Sequence, residues 1–355
     1  MFSSIQGLRA VAAIMVIVYH VTGGAMGDDH LMAAGVDIFF VISGFVMVSS
    51  TAGRGLGFKD FMVARAVRIV PPYWIALFGM ALLLGLRDGS WPGIAELLKA
   101  YFFVPYTNMR NGLPCPFLVP GWTLNYEMFF YLLFGATLVL GTKRQLITLA
   151  ALFAFFVLLR PVIGHLGAAP LRITSPLLFE FLGGAVLAAN LKLLQDALKK
   201  WNQQVIGLAL VALGIALALT ANLLGLHLPR TVGWGGPAFI IVTGVVLAEN
   251  LFRGKAFAPL MLLGNASYSI YLFHSFALEL LTGHIDSGSI TANRAILLIL
   301  AIGFGYLCYV TIERPLLTVS RKLVRRLLPE RAVPRVATDS IQLETAEANA
   351  ALNNG

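Results

Sequence analysis

Ala34-Gly35-Val36-Asp37-Ile38-Phe39-Phe40-Val41-Ile42-Ser43-Gly44-Phe45-Val46-Met47-Val48-Ser49-Ser50-Thr51 contains one charged side chain, Asp37. At about 1.5 Å per residue, a helix over this stretch is roughly 27 Å long, close to the ~30 Å hydrocarbon core of a bilayer. Lipid supplies no partner for free backbone groups, so a spanning segment is a helix or part of a closed barrel. The run lacks the period-two alternation of a barrel strand. It reads as a membrane helix.

Working outward, nine more apolar stretches follow the same pattern, at about 5–22, 70–86, 123–141, 145–164, 174–192, 204–226, 236–252, 265–283 and 293–312. The whole chain of 355 residues is 58% hydrophobic and 12% charged, with a mean hydropathy of +0.81. A soluble chain keeps roughly a quarter of its residues charged, which excludes an ordinary soluble enzyme. The expected fold is all-α, an integral membrane bundle of about ten transmembrane helices. Arg9 inside the first stretch, and the lack of a small-residue cleavage site after it, mark that stretch as a retained helix rather than a secretory signal.

Orientation follows from the basic residues beside the spans. With the N-terminus inside, the inner connections and tail carry 18 Lys and Arg and the outer connections seven, with Arg9 left within a span. Both termini are therefore expected to be cytoplasmic. The net charge of +9 then sets topology and attracts anionic membrane lipids, so a nucleic-acid partner is not expected. Cys115 and Cys308 fall on opposite sides in this topology, and no Cys or His spacing suits a metal.

Residues 87–122 are too long for a plain connection. An apolar piece, Ile94 to Val104, precedes a Pro-rich stretch, and the segment is expected to fold over the outer face. The membrane domain is expected to end near 318. Residues 319–355 form a basic amphipathic segment continuing from Leu316 to Leu328, then a disordered cytoplasmic tail from 337 to 355. The two halves show no inverted repeat of the kind that builds many transporters.

Ionisable side chains inside apolar spans are costly and point to function. Arg9 and His20 lie on the first helix about 20° apart around its axis and roughly 16 Å apart along it. His suits a general base because its pKa lies near working pH; the alternative is that Arg9 snorkels to the inner interface and His20 caps the outer end. Asp37 and Glu127 are placed towards the outer side with His20, where a carboxylate would orient an imidazole or accept bonds at a helix N-terminus. Arg65 and Arg68, one turn apart in a basic inner connection before Pro71-Pro72-Tyr73-Trp74, offer planar forks to a phosphate or serve only as an inner anchor. Ser43 and Gly44 permit close helix packing. His274 either bonds within the bundle or joins the site, and Glu180, Glu249 and Glu279 are expected to bond between helices.

Six blocks in this order resemble the membrane acyltransferase-3 family. They are Ser4-Ile5-Gln6-Gly7-Leu8-Arg9 with His20, Gly35 to Phe45, Arg65-x-x-Arg68 before Pro72-Tyr73-Trp74, Gly121-Trp122-Thr123-Leu124-Asn125-Tyr126-Glu127, Ser267 to His274, and Glu313-Arg314-Pro315. The opening blocks are most similar to the exopolysaccharide-production O-acetyltransferase branch. The resemblance implies a ten-helix enzyme of the bacterial cytoplasmic (inner) membrane. It would move an acyl group, usually acetyl from acetyl-CoA with no tightly bound cofactor, to a hydroxyl of a polysaccharide or lipid-linked oligosaccharide.

On that resemblance Arg9, Arg65 and Arg68 are expected to bind the donor and His20, Glu127 and Asp37 to act in catalysis. Tyr73, Trp122, Asn125, Ser43 and His274 would line the site. Many relatives append a periplasmic hydrolase-like domain that has no counterpart in this sequence. A transporter or flippase of lipid-linked glycans is the rival reading; its loss would remove polymer, whereas loss of an acyltransferase would remove only the decoration.

Overall fold

The computed structural model describes residues 2–24, 31–226 and 228–327. They form helices and no strand, in the order α1 Ser3–Val21, α2 Ala34–Thr51, α3 Phe58–Asp88, α4 Ile94–Tyr101, α5 Gly121–Thr137, α6 Thr142–Ile163, α7 Ala168–Ile173, α8 Leu178–Ala197, α9 Gln203–Leu223, α10 Gly236–Leu247, α11 Ala258–Asn265, α12 Ser267–Leu281, α13 Ile290–Cys308 and α14 Arg314–Leu327. Among the described residues eight helices are long and apolar enough to cross a membrane. A ninth crossing is the pair Lys255–Asn265 and Ser267–Leu281, bent by 60°, and the shorter apolar helix Thr231–Leu247 covers the remaining stretch. The multi-pass helical bundle read from hydropathy is thus the observed architecture. A π-helical turn at Tyr309–Glu313 joins α13 to α14, so the boundary expected at 318 falls inside a helix; residues 337–355 lie outside the described residues.

The quoted stretch becomes the hub. In α2 78% of the apolar window is buried, against 11% in α6, whose apolar side chains instead face outward to lipid. Lipid gives helices no hydrophobic reason to associate, so close backbone packing must hold them. At the crossing of α2 and α8, a Cβ on Gly44 would stand 1.8 Å from the Phe181 carbonyl oxygen, and one on Gly184 would stand 1.8 Å from that of Val41. Only glycine lets these backbones touch. Gly44→Val is expected to lower stability by at least ~2 kcal/mol, read as a lower melting temperature of detergent-solubilised protein. An unchanged melt would show that the crossing can open without loss.

α3 departs from expectation. Its helix starts at Phe58 rather than near residue 70, and runs through Pro71 and Pro72. Prolines remove backbone donors, but a membrane helix tolerates them where neighbours satisfy the turn. The carbonyls that the prolines leave without a helical donor are those of Val67 and Arg68; beside that turn the Tyr268 hydroxyl donates to the Ile69 carbonyl at 2.9 Å and ties α12 to α3. Arg65 and Arg68 therefore sit on a helix inside the bundle, not in a connection.

Buried acids fix helix starts, where the dipole favours negative charge. Glu249 accepts from Ser3 N and Ser4 N at 3.0 Å and from Ser4 Oγ at 2.6 Å. Glu313 accepts from Ser269 N at 3.2 Å and Ser269 Oγ at 2.6 Å, holding the start of α12 in mid-bundle. The segment between α3 and α5 does fold over one end. Phe103 takes the left-handed region at φ 57°, and its ring stacks on Tyr73 at 4.7 Å.

Candidate active site

α1 presents Arg9 and His20 to two different cavities. Arg9 lines one of about 90 Å³, together with Ser43, Arg65, Arg68, Glu127 and Tyr131. His20 lines another of about 610 Å³ at the opposite end of α1, walled by Trp122, Tyr126, Arg172, Arg230 and the 113–119 segment. Val36 and Tyr271 line both, and so form the partition. The two side chains that helical periodicity places on one face of α1 therefore belong to two chambers, one near each end of the helix.

In the smaller chamber three guanidinium groups face one carboxylate. Arg9 Nε donates to Ser267 Oγ at 3.1 Å, and Arg65 Nη2 donates to Ser50 Oγ at 3.4 Å. Arg65 Nε is buried with no hydrogen-bond partner. Glu127 accepts from Ser43 Oγ at 3.0 Å and from the Tyr131 hydroxyl at 2.6 Å. A buried donor without a partner costs free energy, and here it lies beside a chamber in which positive groups outnumber negative ones. The chemistry suits an anion.

In the larger chamber His20 is half-buried, with Tyr19 edge-on to its ring at 5.1 Å. His274 stacks against it with ring centroids 5.2 Å apart and planes inclined by 27°. His274 Nδ1 lies 2.6 Å from the Tyr271 carbonyl oxygen; a carbonyl only accepts, so that nitrogen carries the proton. Burial pushes the Cys115 thiol above its usual range, which keeps it a neutral wall rather than a nucleophile. His20 places an imidazole in the wall of this chamber.

Two expected partners of His20 are elsewhere. Asp37 is fully buried and accepts from Arg230 Nη2 at 2.8 Å and Arg230 Nε at 3.1 Å. Glu127 stands roughly 9 Å along α5 from its start, deep enough to join the arginines rather than the imidazole. Trp122 and Ser43 do line chambers, one each. Tyr73 and Asn125 line neither; both are buried, Tyr73 under Phe103.

Several lining residues were passed over in the sequence. Arg172 and Arg230 were counted as outer-loop charges, and an Arg between apolar segments gives no sign of which way it turns. Tyr131 was readable, since it lies one turn after Glu127 on the same face. Tyr271 lies within the Ser267-to-His274 block without a charge to draw notice.

A family model described as an acyltransferase domain matches residues 2–313. This chain belongs to the acyltransferase-3 family. The exopolysaccharide production protein ExoZ of Rhizobium meliloti (strain 1021) is 34% identical over 81% of this chain and 90% of its own length. The peptidoglycan O-acetyltransferase OatA of Listeria monocytogenes is 27% identical over 84% of this chain. The O-acetyltransferase OatA of Staphylococcus aureus (strain NCTC 8325 / PS 47) is 24% identical over 88%. The chain spans 53% and 56% of those two relatives. No solved structure matches. With the bundle of apolar helices, the family makes this chain a multi-pass membrane O-acetyltransferase.

Proposed function

We propose that the chain moves an acetyl group from cytoplasmic acetyl-CoA to a hydroxyl of an exopolysaccharide or its lipid-linked repeat unit, in the inner membrane of a bacterium. The observation that carries this is the pair of neighbouring chambers, a cationic one at the Arg9 end and an imidazole-bearing one at the His20 end, with Val36 and Tyr271 in the walls of both. Both termini and the Arg9 end face the cytoplasm in this reading.

The donor's fit is set by charge and size. Phosphates pair with guanidinium forks, and Arg9, Arg65 and Arg68 provide three. A chamber of about 90 Å³ is far below the ~300–1,000 Å³ of pockets that enclose whole ligands. It takes the acetyl thioester end, and the nucleotide stays outside the bundle. Glu127, fixed by Ser43 and Tyr131, holds the arginines apart for that end to pass.

The acceptor hydroxyl meets His20 from the larger chamber. His20 takes its proton as the oxygen attacks the thioester carbonyl; the C–S bond breaks, and the CoA sulfur leaves towards the Arg9 end after taking that proton back from the imidazolium. Arg65→Gln and Arg68→Gln are each expected to raise KM for acetyl-CoA about tenfold or more, with kcat changed less, in a transfer assay on membranes with labelled donor. A lowered kcat at unchanged KM would move these residues from donor binding to the chemical step. Mass spectrometry of the surface glycan with and without the gene is expected to show loss of 42 Da decorations, on the order of one acetyl per modified repeat, with the polymer itself retained.

A further inference from the structure

Acetyl transfer to a neutral sugar does not account for the charge of the larger chamber. Three guanidinium groups line it, from Arg160, Arg172 and Arg230, and among the described residues no lining residue is acidic. Arg230 is neutralised by Asp37. Arg160 donates to the carbonyls of Leu171 and Thr174 at 3.1 and 3.4 Å. Arg172 is buried; it donates to the Tyr126 hydroxyl at 3.2 Å and to the Pro114 carbonyl. Its Nε has no partner. Among the described residues neither Arg160 nor Arg172 has an acid beside it.

A buried cation without a counter-charge is expensive; Arg172 is one, and the half-buried Arg160 adds a second positive charge to the same chamber. Arg172 is also held rigidly, its guanidinium 4.9 Å from the Trp122 ring centroid and 5.2 Å from that of Tyr126. Such a stack keeps the fork oriented before any ligand arrives. The chamber's volume of about 610 Å³ lies in the range that encloses a small ligand, and its aromatic faces suit the apolar face of a sugar ring.

We propose that the acceptor carries an oxyanion, bound by Arg172 with Arg160 while its hydroxyl lies at His20. The oxyanion is either a carboxylate on the glycan or the diphosphate that joins a glycan to a lipid carrier; both are oxygen anions that match a guanidinium fork. This rests on the reading that the acceptor enters the larger chamber.

The test uses the full chain in lipid nanodiscs and equilibrium dialysis of four labelled probes. These are a glucuronate-containing oligosaccharide, its methyl ester, a polyprenyl-diphosphate-linked oligosaccharide, and the same oligosaccharide released by hydrolysis. One anionic probe is expected to bind at least tenfold more tightly than its neutral counterpart, and the pair that differs names the source. Arg172→Gln is expected to remove that preference, Arg172→Lys to keep part of it, and His20→Ala to leave it whole. Equal binding of charged and neutral probes would overturn the proposal, as would a preference that survives both Arg172→Gln and Arg160→Gln in protein with an unchanged melt. Acetylation of the cell's own glycan, scored in parallel, separates the two ideas. Transfer without charge preference sinks the oxyanion alone, and charge preference without transfer sinks the acceptor role of the chamber.

Discussion

Replacing His20 with Ala is expected to cut O-acetyl transfer by at least ~10²–10⁴-fold, the contribution of a positioned general base, while leaving the amount of protein in the membrane unchanged. The two halves of that expectation rest on different features. Activity falls because, among the described residues, no other base lines the larger chamber: Cys115 is a buried neutral thiol, the three arginines stay protonated, and His274 is buried behind His20 and is not part of the lining. Abundance holds because His20 is half-buried and packs by ring contacts, so no buried donor or acceptor loses its partner. His20→Gln keeps the volume without the basicity and is expected to be equally inactive. The measurement is the count of O-acetyl groups on the surface glycan beside a blot of the membrane fraction, and full decoration by either variant would remove His20 from the mechanism.

The bundle was legible because hydropathy reports the solvent, and in lipid a long apolar stretch has one stable conformation. What escaped was whatever depends on a neighbour. The stretch read at 265–283 matches α12, but the helix Lys255–Asn265 that meets its start at a 60° bend was not legible, since nothing local announces that Glu313, far along the chain, captures the start of α12. The stretch at 70–86 holds its prolines within the span; what hydropathy did not show is that the helix already begins at Phe58, because Lys59, Asp60, Arg65 and Arg68 make its first turns polar.

The site divides the same way. Arg9 and His20 share a helix, so periodicity gave their relation correctly, one face and two levels. Glu127 and Asp37 reach the site from α5 and α2, and their partners were set by helix depth and packing that sequence spacing does not encode. Gly44 sits between these cases: its small size was readable as a packing signal, and the structure supplies the opposing Gly184.

Asp37 carries the second large effect, on stability before chemistry. Its carboxylate is fully buried, and the side chain of Arg230 is 33% exposed. Removing one partner of a buried ion pair leaves the other charge uncompensated, typically at a cost of ~3–5 kcal/mol, and partial hydration of Arg230 argues for the lower end. Asp37→Asn is therefore expected to lower the melting temperature of the solubilised protein by roughly 5–10 °C. Glu180 is buried on α8 beside this pair, so with Asp37 neutralised it is the acid left near Arg230, which again favours the lower end. Pairing the substitution with Arg230→Gln removes both charges together and is expected to restore much of the lost stability, because two neutral amides can bond where one stranded cation cannot. A carboxylate kept only to orient the imidazole would behave otherwise: Asp37→Asn would spare the melt and depress transfer, and the second substitution would rescue neither. The distance of Asp37 from the reaction is then an energetic result, with the ion pair holding the start of α2 in place so that Val36, one residue away, can complete the partition between the chambers.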